Sequence, residues 1–284
     1  MTITHQFDYI KAKSVAHACK LLSKKGDHRL LSGGTDLIGH IKENLATPDS
    51  LIDLKGIDAL KHLSVTPSTI KIGALCTFSD LLNSKEMAKY FPAVQEMAQT
   101  VASVAVRNRA TVVGNICSAV PSLDSAPLLL TYDAVVCVVS SKGVRKVPIN
   151  QWFISSRQSA IRKGELVCAI EIKMPAQKHG ATFVKLGRYR GEDLAQASVA
   201  VVALPRDRYR IAFGAVAPTP FRADQLEKLL NGKQLTDNLV GQAVTLIPSL
   251  VSPITDIRAT KEYRTHMCQV MFERAVETAV ARLR

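Results

Sequence analysis

Leu30-Leu31-Ser32-Gly33-Gly34-Thr35-Asp36-Leu37 runs from a short apolar strand into a glycine bend, then into 36–43, a segment read as helix or extended chain. Some eighty residues on, Ala110-Thr111-Val112-Val113-Gly114-Asn115-Ile116 reads as a second glycine turn on the lip of an apolar strand. Neither stretch is a GxGxxG fingerprint or a phosphate-binding P-loop. Glycine has no Cβ, so its N–H approaches an anion closely, and successive N–H groups form a concave nest. Two facing nests suit a diphosphate better than a single phosphate.

The rest of the chain sets the frame for that pair. At 284 residues it exceeds the usual single-domain size, and 47% hydrophobic residues are ample for a core. Met1 to Gln6 lacks the basic start and apolar run of a secretion signal. The longest apolar stretch, 197–204, is too short to span a bilayer and reads as a buried strand. Six scattered cysteines form no CxxC pair, which predicts free thiols in a reducing cytoplasm and no iron–sulfur cluster on this chain. The net charge of +13 is dispersed, without the spacing of any nucleic-acid motif, so it reads as a solvated surface or one complementary to an acidic partner.

Hydrophobic periodicity predicts a βαβ-like unit over the first fifty-odd residues: a helix at 14–25 with Ser14 as N-cap, then strands at 29–31 and 51–54. A second unit has strands at 69–74, 134–140, 144–147 and 166–174, with helices beginning at Ser79 and Pro92 and a short one over 124–130. Past Pro175 a three-stranded antiparallel meander (182–188, 197–204, 210–216) precedes helices at 223–230, 239–247 and 261–282. Isolated histidines and the lack of paired carboxylates argue against a metal, hydrolytic or acid–base centre.

Taken in order, these residues resemble the flavin-binding subunit of the xanthine dehydrogenase and carbon monoxide dehydrogenase family, the molybdenum hydroxylases. The resemblance spans essentially the whole chain. Besides the two glycine segments it includes Arg107-Asn108-Arg109, Pro121-Ser122-Leu123-Asp124-Ser125-Ala126-Pro127, Glu165-Leu166-Val167, Phe183-Val184-Lys185, Arg188 and Asp193-Leu194-Ala195. It implies an α+β chain: a two-subdomain FAD-binding fold of the vanillyl-alcohol-oxidase (PCMH) type over 1–176, divided near residue 55, and a smaller α+β C-terminal domain over 177–284. The cofactor-binding residues it implies are Leu30, Leu31, Ser32, Gly33, Gly34, Thr35, Asp36, Leu37, Thr111, Val112, Val113, Gly114, Asn115, Asp124, Val167 and Lys185.

Several of these carry a plainer reading as well. Asp36 would repel a phosphate, so its carboxylate is expected to cap the following segment. The family pattern has two glycines before Asn115, and Val113 replaces the first. Either the backbone there is extended with the valine pointing away, which we expect, or flavin binding is weakened. Asn115 is a cofactor ligand or a turn residue, and Asp124 a helix cap, an acceptor for a sugar hydroxyl, or both. A lone strand lysine such as Lys185 is ordinarily a solvated edge; the resemblance has it reach the cofactor, where a cation favours reduced flavin. Arg188 and Asp193 brace it or pair with each other.

The resemblance implies an FAD-binding electron-transfer subunit of a cytoplasmic, xanthine dehydrogenase-like complex, which points to purine metabolism. Molybdopterin and 2Fe-2S clusters belong to partner subunits, and NAD+ or another acceptor takes the electrons. Xanthine, other purines and aldehydes stay open as substrates. Two further readings stay open: a stand-alone flavin reductase or oxidase, and a structural subunit without FAD.

Overall fold

The computed structural model describes residues 3–189 and 192–284, so the first two residues of the N-terminal stretch read above lie outside it. The chain begins with β1 (Asp8–Lys11), α1 (Val15–Leu22), β2 (His28–Leu31), α2 (Leu37–Lys42) and β3 (Ser50–Asp53). The three strands form a parallel sheet in the order β1-β3-β2, with His28 opposite Ser50 and Leu31 opposite Asp53. Ser14 caps α1 by accepting from the His17 N–H, as its hydroxyl and position predict. Edge strand β1 was not foreseen: Asp-Tyr-Ile-Lys is charged at both ends and exposes three of its residues.

The second unit comprises β4 (Leu63–Val65), β5 (Thr69–Gly73), helices α3 (Phe78–Asn83), α4 (Lys85–Tyr90), α5 (Pro92–Gln99), α6 (Val104–Arg107), α7 (Val112–Ser118) and α8 (Ala126–Thr131), and strands β6 (Val135–Ser140), β7 (Gly143–Pro148), β8 (Phe153–Ser155), β9 (Gln158–Ser159) and β10 (Leu166–Lys173). Five of these strands form an antiparallel sheet, β4-β5-β10-β6-β7, and α7 packs against its β5 and β10. Ile70, Ile72, Val136 and Ile170 meet Phe78, Leu81 and Phe91 in one buried core. Trp152, fully buried, donates its indole N–H to the Ile116 carbonyl at 2.9 Å, satisfying one of the carbonyls that α7 leaves unpaired.

The third unit holds β11 (Gly180–Leu186), β12 (Ala197–Leu204), β13 (Arg208–Gly214), β14 (Phe221–Arg222), α9 (Asp224–Leu230), α10 (Asp237–Leu246) and α11 (Lys261–Leu283). The expected three-stranded meander is present with β14 added as a fourth, two-residue strand. One face of β12 packs on α11 through Val199, Val201, Phe272 and Ala275, forming a second core.

Three local expectations are overturned. The segment 111–116 is not a glycine turn on a strand: it is the start of α7, capped by Thr111, whose hydroxyl accepts from the Gly114 N–H at 3.0 Å. Val113 is therefore helical rather than extended. Asp36 stands at the N-cap position of α2 but makes no capping bond; its carboxylate accepts from the Ser118 hydroxyl instead. Asp124 is not a cap either, because the N-cap position of α8 is Ser125, which gives its hydroxyl to Asn115 Oδ1 at 2.6 Å.

Candidate functional site

A cleft of about 1300 Å³ runs between the three units, and its walls explain why glycine stands where it does. A Cβ on Gly33 would lie 2.0 Å from the Arg109 carbonyl oxygen, so only a bare Cα lets the β2–α2 bend lie against the chain entering α7. Gly34 has φ +78°, the left-handed region that an L side chain resists. Among the described residues, the N–H groups of Gly33, Gly34 and Thr35 have no protein acceptor. They form the concave donor set that an anion requires.

The second glycine contributes something different. The Gly114 N–H is committed to Thr111, and that of Val112 to the Cys76 carbonyl at 3.2 Å, so 111–115 is no nest. It lines the cleft through the Thr111 hydroxyl, 3.4 Å from the Ser32 hydroxyl, and through the side-chain-free surface of Gly114. The expected pair of nests is thus one nest facing the capped end of a helix.

Leu30, Ser32, Gly33, Gly34, Thr35, Asp36, Leu37, Thr111, Val113, Gly114, Asn115, Asp124 and Val167 all line the cleft. Leu31 and Val112 do not; they are buried in the core behind it. Lys185 stands behind Asp124 and outside the cleft wall, so it is no solvated edge: only 7% of its side chain is exposed. Its ammonium donates to Asp124 Oδ2 at 2.8 Å and to the Thr100 carbonyl at 2.9 Å. Arg188 and Asp193 pair with each other, the Arg188 N–H donating to the carboxylate at 2.5 Å.

Burial pushes the Asp124 carboxyl up to about 6, against the opposing pull of the Lys185 charge. Its second oxygen, Oδ1, is buried with no hydrogen-bond partner. A buried orphan acceptor on a ligand-sized cleft calls for a donor from outside the chain. The cleft also takes in His40, Arg157, Arg162, Glu165 and Arg258. Except for Glu165, quoted above in a family motif, nothing in the sequence marked these residues. His40 and Arg157, 3.3 Å apart, are more than a hundred positions from one another in the chain.

The donor nest, the unsatisfied carboxylate and the volume of the cleft together fit a flavin dinucleotide. Residues 5–175 match the family model described as the FAD binding domain in molybdopterin dehydrogenase. The chain belongs to this family. Residues 182–279 match the CO dehydrogenase flavoprotein C-terminal domain. The carbon monoxide dehydrogenase medium chain of Afipia carboxidovorans is 34% identical over 99% of both chains. The xanthine dehydrogenase FAD-binding subunit of Escherichia coli O157:H7 is 28% identical over 96% of each. Among solved structures, carbon monoxide dehydrogenase from Hydrogenophaga pseudoflava superimposes with a TM-score of 0.95 at 33% identity, covering 99% of both chains. The protein is accordingly an FAD-binding subunit of the molybdenum hydroxylase oxidoreductases, with the two-domain mixed α/β fold of that family. No helix among the described residues is long and apolar enough to cross a membrane.

Proposed function

We propose that this chain carries electrons within a multi-subunit molybdenum hydroxylase, holding FAD between an iron–sulfur partner subunit and a terminal acceptor, NAD+ or another oxidant. The observation that carries the reading is the unbonded N–H set of Gly33, Gly34 and Thr35 on the same cleft as the unsatisfied oxygen of Asp124. Bound FAD supplies the redox chemistry that links one-electron centres to a two-electron acceptor. The chain itself binds and orients. The N–H groups of 33–35, with the Ser32 and Thr111 hydroxyls, hold the diphosphate oxygens. Asp124 accepts from a sugar-chain hydroxyl and is kept ionised near neutral pH by Lys185. Val113 and Val167 give apolar surface to the ring systems.

Within this reading, 1–176 serves the cofactor and 177–284 is the C-terminal domain, a division supported by the second hydrophobic core, which is drawn wholly from 184–283. The first core also takes in Ala181, Phe183, Ala200, Val202 and Ala212 across the boundary. Relatives named as the medium chain of a dehydrogenase and as one subunit of a dehydrogenase complex support partner subunits, and within this reading molybdopterin and 2Fe-2S clusters belong to those partners. Six free thiols support a reducing cytoplasm. Carbon monoxide is as well supported a substrate for the complex as xanthine or an aldehyde, because relatives named for all three resemble this chain comparably. Native purification followed by flavin, molybdenum and iron analysis tests the assignment. One FAD per chain, with both metals copurifying, is the expected result. A flavin-loaded chain alone with full turnover would instead make it a stand-alone flavoenzyme.

A further inference from the structure

Four buried side-chain nitrogen or oxygen atoms lack a hydrogen-bond partner among the described residues, and two of them belong to residues lining the cleft. One is Asp124 Oδ1. The other is Nη1 of Arg258, which lies in the irregular segment between α10 and α11, far from every glycine motif.

Arg258 is built into place. Its Nε and Nη2 donate to Asp256 Oδ2 at 3.1 and 2.7 Å, and its own backbone N–H donates to Asp256 Oδ1 at 2.8 Å. Asp256 is anchored in turn by Arg264 of α11, which donates to Oδ1 at 2.6 Å and is almost wholly buried. Arg264 also donates to the Gln196 carbonyl at 3.0 Å, tying this cluster to the segment that follows the cleft-lining Asp193 and Leu194. A guanidinium is planar and always charged, so fixing two of its nitrogens fixes the third. A fork held this firmly with one arm unbonded is a preorganised donor.

We infer that Arg258 is a cofactor-binding residue contributed by the C-terminal domain, its Nη1 donating to an oxygen of the bound flavin dinucleotide. The inference rests on the cleft holding FAD. It makes the C-terminal domain part of the binding site through a side chain and not only through packing. Two kinds of oxygen offer the same chemistry: a carbonyl of the isoalloxazine ring, or an oxygen of the adenosine diphosphate arm.

The full-length chain, stripped of flavin, is titrated with FAD and separately with ADP, in wild type and R258Q. A charge-assisted hydrogen bond corresponds to a rise of about tenfold to a hundredfold in the FAD Kd of the variant. If ADP affinity falls in parallel, the oxygen belongs to the adenosine diphosphate arm. If ADP affinity holds and the flavin reduction potential moves negative, it is a ring carbonyl. Unchanged FAD affinity and unchanged potential in a folded R258Q overturn the inference, whereas a wild-type chain that takes up no FAD overturns the reading of the cleft itself. Should R258Q fail to fold, R258K is titrated in its place. A single ammonium cannot satisfy Asp256 and the cofactor in the geometry of a fork, so weakened FAD binding is again expected and undiminished binding again refutes.

Discussion

One wall of the cleft is made of main chain and hydroxyls: the bend at Ser32–Thr35 against the capped start of α7. Another part of the lining is made of charges engaged with partners behind it, Asp124 with Lys185 and Arg258 with Asp256. The first wall requires the absence of side chains, and its donors keep their character at every pH. The second requires particular ionisation states, held by partners behind the surface. A ligand with a fixed anionic middle and polar ends is served by both, and each wall fails under a different perturbation.

The largest effect is expected at Gly33. Gly33→Ala forces a methyl group to 2.0 Å from the Arg109 carbonyl, so the bend and the chain before α7 must part. Saturable FAD binding should disappear in a fluorescence titration, and urea denaturation should show a loss of about 3 kcal/mol, the upper end for overpacking. A variant that binds FAD normally would show that the two segments need not touch.

Lys185→Met breaks the charged wall next. It strips the counter-ion from a nearly buried carboxylate, which is expected to cost about 3 kcal/mol at pH 8. Removing the cation raises the Asp124 carboxyl further above its unfolded value, and a protonated carboxyl needs no counter-ion. The cost should therefore shrink as pH falls from 8 to 5. Equal destabilisation at both pH values would place the effect in packing alone.

A smaller effect separates the two walls in the unmodified chain. Burial holds the Asp124 carboxyl at about 6, above its unfolded value, so its ionised form carries a penalty that appears as pH rises toward 6. A hydroxyl donated to Oδ1 favours the ionised form and lowers the pKa in the complex. FAD affinity should thus weaken by up to about tenfold per unit as pH drops below 6, and Asp124→Asn should flatten that slope. Thr111→Ala is expected to be mildest. It removes the α7 cap for about 1 kcal/mol of stability, with FAD affinity reduced only a few-fold.

The fold was legible wherever local chemistry and tertiary packing agree. Ser14 before Val15, Pro92 at the head of α5 and the valine-rich 197–204 each announce their element, because cap, φ restriction and β-branching act within a few residues. Helix α7 was misread because two β-branched residues and a glycine in its first turn lower helix propensity. The Thr111 cap and burial of Val112, Val113 and Ile116 override that weakness. In the site, the glycine bend was visible, since its demand is on the backbone. The roles of Asp36, Asp124 and Lys185 were not, because each is decided by a partner from another element: Ser118, Lys185 and Thr100. Arg258 left no signature at all, its importance arising only when Asp256, Arg264 and Gln196 converge.

The sequence contains one tryptophan, Trp152, and the fold seats its indole beneath the helix whose first turn lines the cleft. Indole emission, excited at wavelengths the six tyrosines do not absorb, therefore has a single address. An isoalloxazine settling nearby would drain that emission by energy transfer, so occupancy of the cleft can be followed optically with no label attached.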